Sequence, residues 1–488
     1  MEHREKLNQS APLDRIVAQT NADRLVARHS SNRHRWGQPV RHIALSFGRL
    51  AVAICFLLGI TAREGAAQFN GGGIAIDAEG VVTSFVPNES PRVRERRMRA
   101  FAEEQLSEDL RVSTPLRKVS LKQLEMQIQA AINAKMPLSD DVKSIYGLQR
   151  IDYIFVDAEK LDVLIAGPAE AFAPNAEGRM VGLTTGRPTL RLDDFIVALR
   201  GIYLRREMMS VSIDPEPKRL AEMQAYLANN SVVNSKAESL ERFQTLARIL
   251  GLQNITLTGV PENSHFAINL VEADYRMKRM AMGVDKSPVP RIKSHLAHAK
   301  PGGDSLQRWW FIPLYDPIET DAAELTFRLS GQRCQLLAQQ EWVDAAGRRS
   351  DATTTRASTE KFAEDFTKYF DDLAKEAPVF ATLQNEFDLA VLAAILKSQR
   401  IPQRIDWKMD LLLNSNDIPM EAFPTPKFVP SVAMGKVTAR TAVGAVGGVT
   451  LNPMDVVEKG FGRTQSAALE AVRAKATSNP SNRLGWWD

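Results

Sequence analysis

The chain has 488 residues, 44% hydrophobic and 25% charged, a globular composition with ample material for a core. Its formal net charge of +4 is confined to the start: residues 1–67 hold ten Lys/Arg against five Asp/Glu, and the remaining 52 Lys/Arg are balanced by 53 Asp/Glu. A body this close to neutral excludes nucleic acid or anionic lipid as a partner held by overall charge.

Nine basic residues precede Leu50, the uncharged apolar run Leu50–Ile60 follows, and Gly65-Ala66-Ala67 ends the segment with small residues. Basic flank, short apolar stretch and small-residue exit predict a secretory signal with a long n-region, cleaved near Ala67-Gln68, and hence a periplasmic or secreted protein. Eleven residues in a helix cross about half of a bilayer core, so no stable transmembrane span is expected. The alternative, a core helix opening a cytosolic protein, has Arg49, Arg63 and Glu64 against it because they bracket the run closely. Cleavage removes Cys55 and leaves Cys334 alone, so no intramolecular disulfide is expected and Cys334 reads as a small buried strand residue.

The pattern divides into 1–67 (signal), 68–118 (hairpin and Arg-rich helix), 119–418 (main mixed α/β domain) and 419–488 (Pro-rich linker, small hairpin, loose tail). Ile74–Ile76 and Val81–Phe85 flank Asp77-Ala78-Glu79-Gly80 as a hairpin. Arg92, Arg94, Arg96, Arg97 and Arg99 read as a solvated helix face with Glu95, Glu103 and Glu104 as partners, rather than as a phosphate site. Leu121, Leu124, Ile128 and Ile132 make a helical stripe over 119–134, and Ile151–Val156 with Leu161–Ala166 make a second hairpin. Asp193 or Asp194 is expected to cap a short helix ending near Arg200.

Met209–Ile213 reads as a strand, with Asp214-Pro215 starting a helix over about 216–228 and a second helix over 236–250. A strand at 254–258, a helix over about 263–282 and a strand at 309–313 follow. This alternation predicts a parallel sheet core, with Leu325–Leu329 and Gln335–Trp342 as an antiparallel pair added to it. Helices near 359–376 and 378–398 come next; the second carries eight consecutive apolar residues from Leu389 to Leu396 and reads as core. Val437–Val443 and Val449–Leu451 are expected to form a hairpin around Gly444, Gly447 and Gly448. The fold class is therefore α/β, mixed α+β: a partly parallel sheet with antiparallel additions, helices on its faces and a small C-terminal hairpin.

Chemical motifs are sparse. His295 and His298 share a helix face, but two ligands without neighbouring Cys or carboxylates do not hold zinc, and no metal site is expected. Gly435-Lys436 lacks the glycine spacing of a phosphate loop; no H-E-x-x-H, C-x-x-C, calcium-loop or G-x-S-x-G pattern occurs, and no cofactor is expected. The stretch Thr258–Phe266 links a strand to a helix, where α/β proteins place ligands. There His265 is a candidate base, Ser264 a candidate nucleophile or, more simply with Asn263, a helix cap, and Asp214 a possible acidic partner from the neighbouring strand end. Asn263 and Arg276 are candidate ligand contacts. Glu272–Arg276 and Asp274–Lys278 are i,i+4 pairs, and Phe266, Leu270, Ala273, Met277 and Met280 make a buried stripe, so the helix reads as salt-bridged and amphipathic. Trp309-Trp310 and Trp486-Trp487 would stack on sugars only if two rings lay exposed and coplanar.

Gly147–Val156, Ala166–Glu170, Thr184–Pro188, Ser212–Pro215, Gly259–Phe266 and Ala273–Arg279 together resemble a bacterial family catalogued as a domain of unknown function, number 1598. The resemblance runs from about Gly73 to Trp487 and implies an exported planctomycete protein with no established activity and no catalytic residues to carry over. The leading expectation is a non-enzymatic binding or assembly component of the cell envelope, its partner an envelope protein or polymer. The rival is a hydrolase or ligand-binding enzyme with its site at the 258–266 turn.

Overall fold

The computed structural model describes residues 68–488, apart from 70–72, 78, 86, 206–207, 231–234, 301–304, 437–440, 461–462 and 479–484. Residues 1–67, read above as a signal, lie outside the described residues. Two mixed sheets organise the rest, and the fold is mixed α+β as the pattern predicts. The larger sheet runs Arg349–Asp351, Arg333–Val343, Ser305–Leu314, Thr441–Leu451, Met209–Asp214, Leu252–Thr258 and Phe428–Pro430, with Ala433–Lys436 also pairing Thr441–Leu451. The second runs Arg463–Gln465, Ile318–Thr320, Thr326–Arg328, Tyr153–Asp157, Asp162–Ala169, Thr114–Ser120 and Trp486–Trp487.

Most local expectations hold, but the connectivity differs. Met209–Asp214 and Leu252–Thr258 pair antiparallel, with Asp214 opposite Asn254 and Ser210 opposite Thr258. Two helices, Pro217–Asn229 and Lys236–Leu250, separate these strands. With two helices between them the chain returns to the end it left, whereas a single crossover helix delivers a parallel strand. Among the described residues the parallel strand pairs are Ser305–Leu314 with Thr441–Leu451 and Ile318–Thr320 with Arg463–Gln465, beside an isolated parallel bridge between Val81 and Phe428. Strands Thr326–Arg328 and Arg333–Val343 are not partners; the first pairs Tyr153–Asp157 and the second pairs Ser305–Leu314, so the chain changes sheets between them. It does so through Gly331, at φ +91°, where a Cβ would meet the Asp316 nitrogen at 2.7 Å.

The C-terminal segment is built into both sheets. A hairpin forms here, but between Ala433–Lys436 and Thr441–Leu451; residues 441–443 and 449–451, expected on opposite arms, lie in one continuous strand with the glycines inside it. A Cβ on Gly447 would stand 1.9 Å from the Trp309 carbonyl oxygen, and one on Gly448 2.0 Å from that of Val211, so glycine permits the close approach of these strands. The end is not loose. Trp486 and Trp487 pair with Val119 and Lys118, and Asp488 accepts a 2.8 Å bond from the buried Arg117 guanidinium, which also stacks over Trp486 at 4.5 Å. Trp309 is buried, Trp486 nearly so, and neither tandem offers two exposed rings. Smaller shifts have local causes: the 192–200 helix is capped by Arg191 with both aspartates in its first turn, and the 217–229 helix starts at Pro217, two residues after Pro215.

The helix Pro378–Ser398 is the centre of the molecule. It is long and apolar enough to cross a membrane by composition, yet it is buried against the helices Leu192–Arg200, His265–Ala281 and Phe370–Glu376 and the strand Arg333–Val343. Its N-terminal end contributes Phe380 to a cluster in which Phe311, Phe366, Phe370 and Phe380 meet edge-on or tilted at 5.4–6.2 Å. Asp388 ties this helix to both sheets. It accepts bonds from Arg333 Nε (3.0 Å), Tyr315 OH (2.9 Å) and Ile151 N (3.2 Å), while Arg333 also donates to the carbonyls of Ile151, Leu329 and Gly331. Arg333→Met removes the ion-pair partner of the buried Asp388, so we expect a loss of about 3–5 kcal/mol. Urea denaturation checks this, with Arg99→Ala, which removes an exposed i,i+4 pair, leaving the midpoint unchanged.

Candidate functional site

The 258–266 turn opens the His265–Ala281 helix, and Ser264 is its cap: Oγ accepts from Ala267 N at 3.1 Å and donates to the Pro261 carbonyl at 2.7 Å. Both capacities of the hydroxyl are engaged, which removes it as a nucleophile poised by His265. Asn263 accepts the Phe423 N–H through its carbonyl and lines a cavity of about 400 Å³. Ile196, Val197, Leu204, Pro261 and Met420 supply apolar wall, and Asp193, Arg200 and His265 supply polar groups.

His265 sits in that wall, 4% exposed, with its ring edge-on to Phe423 at 5.2 Å. Its acidic partner is Asp194, with Nδ1 2.8 Å from Oδ2, and not Asp214. The antiparallel pairing explains the difference, because it puts Asp214 at the far end of its strand from Thr258. Asp214 instead accepts from Arg349 and Ser212. The adjacent sequence positions 193 and 194 diverge on their helix: Asp193 pairs with Arg191 at 2.7 Å, while Asp194 points to His265.

The helix carries two further stripes besides its apolar one. His265, Asn269, Glu272 and Arg276 follow one another at helical spacing, and all but half-exposed Arg276 are buried. Asn269 Nδ2 donates to Glu386 of the central helix at 2.9 Å, and Asn269 Oδ1 accepts from Arg179 at 3.0 Å. Arg179 also pairs with Glu272 and reaches Thr382 at 3.2 Å. Arg276 is held by Glu272 at 2.9 Å and Glu177 at 3.1 Å, a structural role rather than a free ligand contact. The Asp274–Lys278 pair forms as expected, at 2.8 Å, but it is buried against the larger sheet, where Lys278 also donates to the Ile213 carbonyl. The helix is thus enclosed rather than amphipathic with a solvated face.

Burial governs the chemistry of the cluster. It pushes the His265 pKa well below its ordinary value, helped by the positive charge of Arg191, so the imidazole is neutral near pH 7. Burial raises the Asp194 carboxyl to about 7 despite Arg191 and Arg179, and it lifts Glu386 well above the carboxylate range with help from the charge of Asp194. One donor atom each from Asp194, His265 and Glu386 lies within 4.8 Å of the others, the group among the described residues able to hold a metal. Sequence reasoning missed Asp194 as a site residue, and missed Arg179 and Glu386 altogether. The available signal was Glu386 itself, a charge inside a helix otherwise read as core.

The remaining motifs are structural. Glu170 accepts from Gln149 Nε2 (2.7 Å), Thr184 N (2.9 Å) and Thr185 N (3.0 Å), so Ala166–Glu170 and Thr184–Pro188 lock to each other. Cys334 is buried in its strand, and burial raises its thiol pKa. His295 is buried edge-on to Trp309 at 5.5 Å, while His298 lies 3.9 Å from Asp365.

A protein-family model described as Protein of unknown function (DUF1598) matches residues 211–295, a span that includes the 258–266 turn and the whole His265–Ala281 helix. The match supports the family resemblance over that stretch, and the family's description names no activity. No curated protein and no solved structure matches the chain.

Burial of His295, with the charges of Arg356 and His298, lowers its pKa to about 4. A folded pKa below the unfolded one contributes stability that is present above about pH 6.5 and lost as pH falls toward 4. Replacing it with Phe, which retains the contact with Trp309, removes up to roughly 3 kcal/mol of that acid-side loss. Urea midpoints of wild type and His295→Phe between pH 4 and 7.5 should therefore converge or cross toward acid; a constant difference refutes the assignment.

Proposed function

We propose that the chain is exported and acts as a non-enzymatic binding or assembly component of the cell envelope, with the cavity over the 258–266 turn receiving part of an envelope protein or polymer. The observation that carries this reading is that cavity: about 400 Å³ of largely apolar wall with a few convergent polar groups, beside a helix N-terminus. Export rests on the basic segment, the Leu50–Ile60 run and the small residues before Gln68. A planctomycete source rests on the family resemblance. The absence of chemistry rests on the engaged Ser264 hydroxyl and the burial of Cys334, which leave the cavity wall without a poised nucleophile.

The second reading, a hydrolase or ligand-binding enzyme, is favoured by one contact. His265 is neutral and oriented by Asp194 at 2.8 Å, the relation of a general base to its orienting carboxylate. In that reading His265 would activate water directly, and His265→Gln abolishes turnover; in the binding reading there is no turnover to lose.

Two measurements test the leading reading. Mass spectrometry of protein from the envelope fraction should find the mature N-terminus near Gln68, and an intact N-terminus on fully expressed protein counts against export. A photo-crosslinking residue in place of Leu204, an exposed residue of the cavity rim, should capture an envelope component. Val197→Trp, which fills the cavity, should cut that capture tenfold or more, the equivalent of about 1.4 kcal/mol. Equal capture by the two proteins removes the cavity from the reading.

A further inference from the structure

We propose that Asp194, His265 and Glu386 form a binding site for one divalent transition-metal ion of the zinc class, approached through the cavity that His265 lines. A ring nitrogen and two carboxylate oxygens are a donor set that Zn²⁺, Co²⁺ and Mn²⁺ accept, and a site with three protein ligands keeps a position open for water or a ligand group. The three donor atoms already stand within 4.8 Å of one another. Donors around a tetrahedral ion at about 2.0–2.1 Å are separated by roughly 3.3 Å, so binding draws them together by up to about 1.5 Å.

Orphaned atoms supply the independent observation. Glu386 Oε1 is buried with no hydrogen-bond partner among the described residues, and Asp194 Oδ1 is buried with no bond of normal geometry, the Phe266 backbone N–H being the donor turned toward that carboxylate; both residues are at least nine-tenths buried. Leaving two carboxylate oxygens unmet in the core is costly, and a cation satisfies both at once. The other oxygen of each is held for that purpose: Asn269 donates to Glu386 Oε2, and Asp194 Oδ2 faces His265 Nδ1.

The charge balance agrees. The network around the triad contains Glu177, Asp193, Asp194, Glu272 and Glu386 against Arg179, Arg191 and Arg276, solvent-exposed Glu421 aside, which leaves −2 when all are ionised. Arg179, the cation nearest the triad through Asn269, is paired with Glu272 and Glu177, so its charge is already met.

The proposal deepens the cavity reading by putting a Lewis-acidic ion at its wall, and rests on it only for the route of entry. The test uses the full chain stripped with chelator and titrated with Co²⁺, then displaced with Zn²⁺. Wild type should take up one equivalent with a visible ligand-field spectrum and a melting temperature that rises with Zn²⁺ concentration. Glu386→Gln, which keeps an acceptor for Asn269, and Asp194→Asn should each weaken uptake by more than about 100-fold. Folded wild type that binds no Co²⁺ or Zn²⁺, or variants that bind as tightly as wild type, would overturn the proposal. A chelator-treated Glu386→Gln protein that is more stable than wild type, when wild type takes up no metal, would also overturn it by identifying a proton as the occupant. Cobalt uptake reads the triad and the Val197→Trp comparison reads the cavity, so either can fail without the other.

Discussion

The rest of the structure depends on a helix that is buried along its whole length and yet is not wholly apolar. Between Val379 and Leu396 every residue of Pro378–Ser398 is buried, and five of them, Thr382, Gln384, Asn385, Glu386 and Asp388, are polar or charged. Water cannot reach these groups, so their partners must come from surrounding elements, and the cost of leaving one unmet restricts how those elements can be arranged. Asp388 meets Arg333, Tyr315 and the Ile151 amide; Gln384 meets Asp371 and the Gln332 carbonyl; Asn385 meets the Pro188 carbonyl. These partners come from segments around 151, 188, 315, 332–333 and 371.

The Asp388 clasp stands where the chain passes from one sheet to the other. Arg333 begins the strand Arg333–Val343 of the larger sheet and donates to carbonyls at Ile151 and Leu329, which flank strands of the second. One guanidinium with its donors in a fixed fork can meet that many acceptors, which a lysine cannot. Glu386, two residues earlier and so on the other side of the same helix, has the opposite character. One oxygen is bonded to Asn269 and the other is unmet, which separates a satisfied structural pair from a cluster with capacity left over.

The cluster joins segments far apart in the chain: Arg179 from a turn, Asp194 from one helix, His265, Asn269 and Glu272 from a second, and Thr382 and Glu386 from the central helix. His265 could be singled out from its place at a strand-to-helix turn, and it does line a cavity. Its partner could not, because choosing Asp214 assumed that neighbouring strands run the same way. Asp194 was visible only as a possible cap, and Arg179 gave no local signal.

Local pattern alone determined the nature of most elements: the helices 121–134, 236–250 and 378–398, the hairpins at 74–84 and 153–169, the burial of Cys334, and the i,i+4 pairs at 272–276 and 274–278. These depend on side-chain periodicity and on neighbours within one or two turns, which the order of residues states directly. The tertiary structure alone decided that the strands around the 258–266 turn run antiparallel and that Thr326–Arg328 and Arg333–Val343 belong to different sheets. It alone seats the glycine-rich strand in the middle of the larger sheet and the final tryptophans on the edge of the other. Those outcomes follow from long-range pairing and from where buried polar groups find partners, and residues hundreds of positions apart carry no mark of each other in the linear chain.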